Sequence, residues 1–270
     1  VLDVRPSKSK RVTSVRLCAC AISRLSRTAS VRLGILGTRR MALRFSTLSE
    51  LGRGVLITGG AGAGKTHALS SIIEQLAPAL KMSPFQVVPV LIAMHGARRR
   101  LLQRLTALQR SCRSRGVDLF LEVSTIDAFA LSLVIKLQER TPSDLPNFEV
   151  GDFAPVHRAA VAAMSRDSIK QMCAHTFPLV VIDELQDCRG TRLEFVMALA
   201  ECVPVIAAAD EFQVLDAEGS CPALDQCKAR LRTLSLGEKS ARTNDGAVIA
   251  TAKALRTGSP TSAGVSCYFA

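Results

Sequence analysis

The chain has 270 residues, of which 48% are hydrophobic and 21% are charged, and its formal net charge is +12. This length allows one large α/β domain or two small ones, and no apolar run approaches the roughly 20 residues of a membrane span. Nine cysteines occur without a Cys-x-x-Cys pair, which argues against a zinc site and is typical of a reducing compartment. We therefore expect a cytoplasmic protein that does not contact membranes.

The first 45 residues differ from the rest in charge. They contain eleven Lys or Arg and one acid, Asp3, whereas the remaining residues carry 24 basic and 22 acidic side chains. Three interpretations stay open: an Arg- and Ser-rich organellar import signal, a disordered basic arm that attracts nucleic acid, and upstream sequence read into the protein before Met41. We slightly prefer the third, and we place the main domain at 46–258 and a flexible tail at 259–270.

A glycine-rich loop follows the first predicted strand, 55–58, and precedes a predicted helix, 66–80. It fits the phosphate-binding loop pattern at every fixed position. Glycines let successive backbone N–H groups point at an anion, and the helix N-terminus adds its positive end. The loop therefore predicts binding of a nucleoside triphosphate with Mg²⁺, with Lys65 reaching the β and γ phosphates and the Thr66 hydroxyl holding the metal. The residues expected to line the nucleotide are Gly59, Gly60, Ala61, Gly62, Ala63, Gly64, Lys65 and Thr66.

Strand and helix patterns alternate along the next part of the chain. Strands are predicted over 87–93 and 119–124, and helices over 97–113 and 126–138. A Pro-rich segment, 141–155, opens a small helical insertion that we place at 141–175, with one helix over 156–174. Basic residues in and after the second helix are candidates for nucleic-acid contacts, although a solvated helix face explains them equally well: Arg98, Arg99, Arg100, Arg104, Arg110, Arg113 and Arg115.

Two carboxylates follow the apolar strand predicted over 178–182. Asp183 is placed to bind Mg²⁺, and Glu184 to orient and deprotonate an attacking water. The alternative is that the two acids only cap a helix. Further along, a strand over 203–208 and helices over 191–201 and 246–256 complete the alternation. This order predicts an α/β fold with a doubly wound parallel sheet and the ligand at the carboxyl ends of the strands.

The string Asp183-Glu184-Leu185-Gln186-Asp187 resembles the Asp-Glu-x-Gln-Asp motif of UvrD/Rep-type superfamily 1 DNA helicases. Other segments are similar to motifs of that family in the same order along the chain. They are Val90–Arg104, Val123–Ala130 with Thr125 and Phe129, Val205–Gln213 with Ala209 in place of a glycine, and Ser240–Asn244.

The resemblance implies a P-loop NTPase of RecA-like fold and a role for each matching residue. Gln213 would sense the γ-phosphate, and Arg242 would be an arginine finger that stabilises the transferring phosphoryl group. Thr125 and Phe129 would lie near single-stranded DNA, and Gln186 would link the hydrolytic site to neighbouring motifs. For Phe129 a core position, and for Arg242 a solvated surface position, are the simpler alternatives.

The sequence also departs from the family. The family has a glutamine upstream of the phosphate loop that reads adenine, but the first glutamine here is Gln75. Only the first RecA-like domain is recognisable before Ala270, and translocation needs two such domains.

We therefore expect an ATPase that couples hydrolysis to single-stranded DNA (or RNA) and does not unwind a duplex alone. A second RecA-like domain on another chain could then be its partner. The alternative is a truncated or degenerate nucleotide-binding module that acts as an interaction or regulatory protein.

Overall fold

The computed structural model describes residues 45–60, 62–93, 98–138, 151–211 and 221–237, and the helical positions 250, 251 and 254. Within 98–100 only the backbone is described. Nearly all of the basic segment 1–45, most of the predicted helix 246–256 and the tail 259–270 therefore lie outside the described residues. Residues Met41–Ala270 form one compact unit.

In the described part of the chain, a single sheet contains six strands, all parallel, in the order β3-β2-β4-β5-β1-β6. Every residue of β1, β2, β4 and β5 is buried, which explains why these strands read as continuous apolar runs. The strands are β1 Gly54–Thr58, β2 Val88–Ile92, β3 Leu121–Thr125, β4 Val180–Asp183, β5 Val205–Ala209 and β6 Arg232–Ser235.

Helices cover both faces of the sheet. They are α1 Leu48–Leu51, α2 Lys65–Leu80, α3 Arg98–Ser114, α4 Ile126–Gln138, α5 Ala154–Met164, α6 Asp167–Thr176, α7 Gly190–Cys202 and α8 Pro222–Arg230. Alternate side chains of each central strand enter opposite layers: Leu56 and Ile182 pack with α4, α5 and α7, whereas Ile57 and Val181 pack with α2 and α3. This confirms the predicted α/β fold, a RecA-like doubly wound sheet.

The close approach of β1 to β5 requires a glycine at the start of β1. A Cβ atom on Gly54 would lie 2.0 Å from the carbonyl oxygen of Val205, and the φ angle of Gly54 is +141°. Both constraints exclude a side chain here. Gly54, which precedes the apolar run of β1, therefore allows β1 and β5 to pack closely side by side.

One predicted element of the fold is wrong, and three observed elements were not predicted. The single helix over 156–174 is two helices, α5 and α6, because Arg166 takes an extended conformation and its carbonyl oxygen accepts the first hydrogen bonds of α6. The elements that were not predicted are the short helix α1, the helix α8 and the strand β6. The strand β6 lies at an edge of the sheet and buries one residue in four, so it lacks the apolar run that reveals the central strands.

Among the described residues, no helix combines the length and the apolar character needed to cross a membrane.

Candidate functional site

The sheet order brings three loops to one edge. Strands β4, β5 and β1 are neighbours and all run in the same direction, so their carboxyl ends lie side by side. The glycine-rich loop leaves β1, Glu184 follows β4, and Asp210 follows β5. In open parallel sheets this is the edge at which ligands bind.

The glycine-rich loop turns back on itself before helix α2. The Ala63 N–H donates to the Gly60 carbonyl at 3.1 Å, and Gly62 and Gly64 have φ angles of +78° and +92°. Gly64 is the N-cap of α2 and has no side chain that could accept from the first N–H groups of the helix. The first turn therefore keeps its N–H groups available for an anion such as a phosphate. Ala61 lies outside the described residues.

Lys65, the first residue of α2, places its ammonium group inside the loop. Nζ donates to the carbonyl oxygens of Gly59 and Gly60 at 2.9 and 3.0 Å and to Asp210 Oδ2 at 3.0 Å. The Lys65 side chain is 10% exposed and that of Asp210 is 0% exposed. An ion pair this deeply buried ties the phosphate loop to the end of β5.

Asp210 is a member of the site that sequence reasoning did not select for a role. It directly follows the buried strand β5, as Glu184 directly follows β4. The same rule, an acid directly after an apolar parallel strand, could have found it.

Thr66 and Asp183 lie together beside the loop. Thr66 Oγ1 donates to Asp183 Oδ2 at 3.2 Å, and Asp183 is 3% exposed. Burial, and then the charge of Glu184, raise the pKa of Asp183 to about 6, although the Thr66 hydrogen bond and Lys65 act in the opposite direction. A hydroxyl and a carboxylate are the oxygen ligands that Mg²⁺ takes beside phosphates, so this pair fits the expected metal.

Glu184 begins a tight turn at the end of β4. Its backbone is left-handed, with φ +57° and ψ +47°, and its N–H donates to Asp183 Oδ1 at 3.2 Å. Gln186 Nε2 donates to Glu184 Oε2 at 2.6 Å. The left-handed conformation costs a non-glycine residue about 1–2 kcal/mol. The turn and the amide together hold a half-buried carboxylate at the same edge as Lys65 and Asp183.

Gln186 bridges two strands of the site. Its side chain is 3% exposed, and while its Nε2 holds Glu184, its Oε1 accepts the N–H of Asp210 at 2.9 Å. One buried amide therefore connects the residue expected to act as general base with the residue that pairs with Lys65. The sequence resemblance predicted a linking role for Gln186, and these contacts specify the two ends of that link.

Two residues expected near nucleic acid are buried. The Phe129 ring is 7% exposed and packs against Phe177 and Phe195 with ring centroids 5.4 and 6.3 Å away. Thr125, also 7% exposed, accepts the N–H of Ala128 at 3.1 Å and so helps to start helix α4. Phe129 is therefore a core residue, as the simpler of the two interpretations had it.

A second charged cluster joins the helices of one layer. Arg192 of α7 donates to both oxygens of Asp127 in α4, at 2.9 and 2.7 Å, and His157 Nε2 of α5 lies 3.1 Å from Asp127 Oδ1. Burial acts to raise the pKa of Asp127, but His157 and Arg192 outweigh it and hold that pKa below its usual 3.8. The cluster fixes α5, part of the predicted insertion, to the main domain.

The two remaining predicted site residues, Gln213 and Arg242, lie outside the described residues.

Comparison with known proteins gives a family. One solved structure, titled as the crystal structure of a DNA replication initiation factor, is 16% identical over 74% of this chain and 53% of that chain, with a TM-score of 0.31. The chain thus spans about half the length of that structure. No curated protein sequence matches. A family model described as an AAA domain matches residues 48–218, which is more than half of the chain and includes the glycine loop, Asp183 and Asp210. The chain therefore belongs to this AAA-domain family of P-loop nucleotide-binding proteins.

Proposed function

We propose that this domain binds ATP with Mg²⁺ and hydrolyses it. One observation carries the proposal: four side chains that phosphoryl transfer needs, contributed by two separate segments of the chain, meet at one sheet edge. They are Lys65, Thr66, Asp183 and Glu184. Catalysis of phosphoryl transfer depends mainly on positioning the reactants and stabilising charge. The side chains at this edge of the sheet can do both.

Each residue has a distinct part in the proposed reaction. The loop N–H groups and Lys65 bind the phosphates, and Thr66 with Asp183 holds Mg²⁺, which when bound offsets the charge of the β and γ phosphates. Glu184 orients the attacking water and takes its proton. The 2.6 Å contact from Gln186 fixes the orientation of the Glu184 carboxylate, which is what a base must have before substrate arrives.

The proposal extends to a motor of the UvrD/Rep type that couples hydrolysis to single-stranded DNA. Gln186 belongs to the string that resembles the helicase motif. It supports this proposal because its side chain links the Glu184 carboxylate, which follows β4, to the backbone of Asp210, which follows β5. Exposed arginines on α3 supply a surface for phosphates. In this proposal Gln213 senses the γ-phosphate, Arg242 acts as the arginine finger, and a second RecA-like domain on a partner chain completes the motor.

The experiment is ATP turnover by the full chain, with and without a single-stranded DNA oligonucleotide, with an RNA oligonucleotide tested in parallel. Two variants separate binding from chemistry. Lys65→Ala should abolish triphosphate binding. Glu184→Gln should keep it but reduce turnover by about 10²- to 10⁴-fold, the range for loss of a general base.

Each outcome decides between functions. Turnover that rises with DNA and is lost in Glu184→Gln supports the motor. Binding without turnover in either condition supports a nucleotide-binding module that serves interaction or regulation. Normal turnover by Glu184→Gln would show that another group is the base.

A further inference from the structure

The ammonium group of Lys65 has a full set of protein acceptors. An ammonium carries three N–H donors, and here they meet three acceptors at 2.9–3.0 Å, the carbonyl oxygens of Gly59 and Gly60 and the carboxylate of Asp210. A phosphate oxygen can reach this ammonium only by displacing one of them. Asp210 is the anionic acceptor, and as a fully buried group it is the one whose displacement matters most.

We propose that Asp210 is a positioning residue that competes with the triphosphate for Lys65, and that the exchange of partners is transmitted through Gln186 to Glu184. This inference rests on the proposed function. While Lys65 pairs with Asp210, the end of β5 is drawn toward the phosphate loop. When Lys65 turns to a phosphate, that constraint on Asp210 is released.

The transmission step follows from two further contacts. The backbone N–H of Asp210 donates to Gln186 Oε1 at 2.9 Å, and the amide of the same side chain donates to Glu184 Oε2 at 2.6 Å. The two atoms belong to one planar amide that turns as a unit about the Cγ–Cδ bond of Gln186, so a rotation that shifts Oε1 also shifts Nε2. Movement of the Asp210 backbone therefore changes the orientation of the Glu184 carboxylate, so that occupancy of the phosphate loop controls the base.

Asp210→Asn tests the competition. Asparagine keeps the shape and one acceptor oxygen but removes the charge that holds Lys65, so we expect the Kd for a slowly hydrolysed ATP analogue with Mg²⁺ to fall by about tenfold, within the range for a charge-assisted hydrogen bond. Glu211→Gln is the matched control. It removes the same charge from the next residue, which pairs with Lys228 at 2.7 Å and is partly exposed, and the Kd should change less than about twofold.

The outcomes separate the two proposals. If the wild-type chain binds the analogue and Lys65→Ala does not, the proposed nucleotide site stands, and Asp210→Asn then decides the competition. Unchanged binding by Asp210→Asn would overturn the competition, because Asp210 would then have no influence on Lys65. Weaker binding would also overturn it, because Asp210 would then orient Lys65 for the phosphate. If the wild-type chain binds no triphosphate, both proposals fail together.

Hydrogen exchange on the wild-type chain tests the transmission and does not depend on the folding of a variant. Adding the analogue with Mg²⁺ should change amide exchange by at least about twofold in peptides that cover 184–188 and 205–211 as well as in the phosphate loop. Peptides that cover β3, at the edge of the sheet, should not change. Protection confined to the phosphate loop would overturn the link to Glu184.

Discussion

Asp183 and Glu184 are neighbours in sequence, but the fold gives them different surroundings. Asp183 is 3% exposed and accepts from Thr66, whereas Glu184 is half-buried in a left-handed turn and accepts from Gln186. Two carboxylates of one active site can have different chemical roles when they differ in burial and in hydrogen-bond partners. The buried carboxylate is suited to a metal ion, which would compensate its desolvation, and the more accessible one to a water molecule.

The buried carboxylate predicts a pH-dependent stability. The folded-state pKa of Asp183, about 6, lies above the ordinary value of 3.8. Between these values the folded protein retains a proton that the unfolded chain has lost, so the contribution of Asp183 to the free energy of unfolding falls as pH rises through this window and stays low above it. A difference of about two pKa units corresponds to about 3 kcal/mol.

Asp183→Asn should therefore raise the free energy of unfolding by up to about 3 kcal/mol at pH 7.5 and by less than half of that at pH 4.5. Urea unfolding with a metal chelator present measures both values. The exposed carboxylate of Asp118 provides the control, Asp118→Asn, which should change little at either pH. A loss of stability at pH 7.5 would show that the charged carboxylate is needed by Thr66 and Lys65. The same variant should also lose Mg²⁺-dependent nucleotide binding.

Helix α3 separates the basic residues that sequence analysis grouped together. It follows β2, begins at the carboxyl edge of the sheet with Arg98–Arg100, and returns to the opposite edge before β3. Seventeen residues at 1.5 Å per residue make it about 25 Å long. Only its first half, which includes Arg104, therefore lies near the nucleotide edge, and Arg113 and Arg115 lie at the far end. Arg115 also pairs with Glu74 at 2.8 Å.

For the proposed binding of single-stranded DNA, this placement predicts which arginines contribute. The double variant Arg100→Gln with Arg104→Gln should weaken binding of an oligonucleotide and reduce the slope of log K against log salt by about 1.4, because each lost phosphate contact contributes about 0.7. The matched control is Arg110→Gln with Arg113→Gln, which removes the same charge from exposed positions of the same helix. An equal loss of oligonucleotide affinity in the two double variants would mean that helix α3 acts only through its net charge.

The central elements could be predicted from sequence because their burial on both faces leaves an apolar run. Strands β1, β2, β4 and β5, and the helices α2, α3, α4 and α7, lie within three residues of their predicted bounds at each end. The edge strand β6 could not be found in this way, since three of its four residues are exposed. The break between α5 and α6 lies at one extended residue, Arg166. Its neighbours Ser165, Asp167 and Ser168 are residue types that favour helix ends, so the sequence did carry a local signal for this break.

The residues of the candidate site also fall into two groups: those that a local motif predicts and those that only the fold reveals. Lys65, Thr66, Asp183 and Glu184 belong to short motifs whose local spacing carries their chemistry. Asp210 forms its ion pair with a residue 145 positions away, so the partner could be seen only after the strand order was known. Phe129 shows why a motif match alone does not assign a role, because the structure places this residue in the core, the simpler of the two interpretations.

At the scale of the whole molecule, charge is distributed unevenly. Residues 1–45 contain eleven Lys or Arg and one acid, whereas residues 46–270 carry 24 basic and 22 acidic side chains. The nucleotide-binding domain is therefore close to neutral, and the pI of about 9.7 reflects mainly residues 1–45. A segment of this charge density attracts polyanions whatever its sequence.

Comparison of the full chain with residues 41–270, which form a compact unit, separates this attraction from the activity of the domain. Triphosphate affinity and basal ATP turnover should agree within about twofold, because every described residue of the site lies in the shorter chain. Oligonucleotide affinity in low salt should be higher for the full chain, with a steeper salt dependence, and the two affinities should converge above about 0.3 M salt as screening shortens the range of the charges. Equal affinities at low salt would show that the basic segment does not reach nucleic acid. A loss of turnover on truncation would show that residues 1–40 contribute to the activity of the nucleotide site.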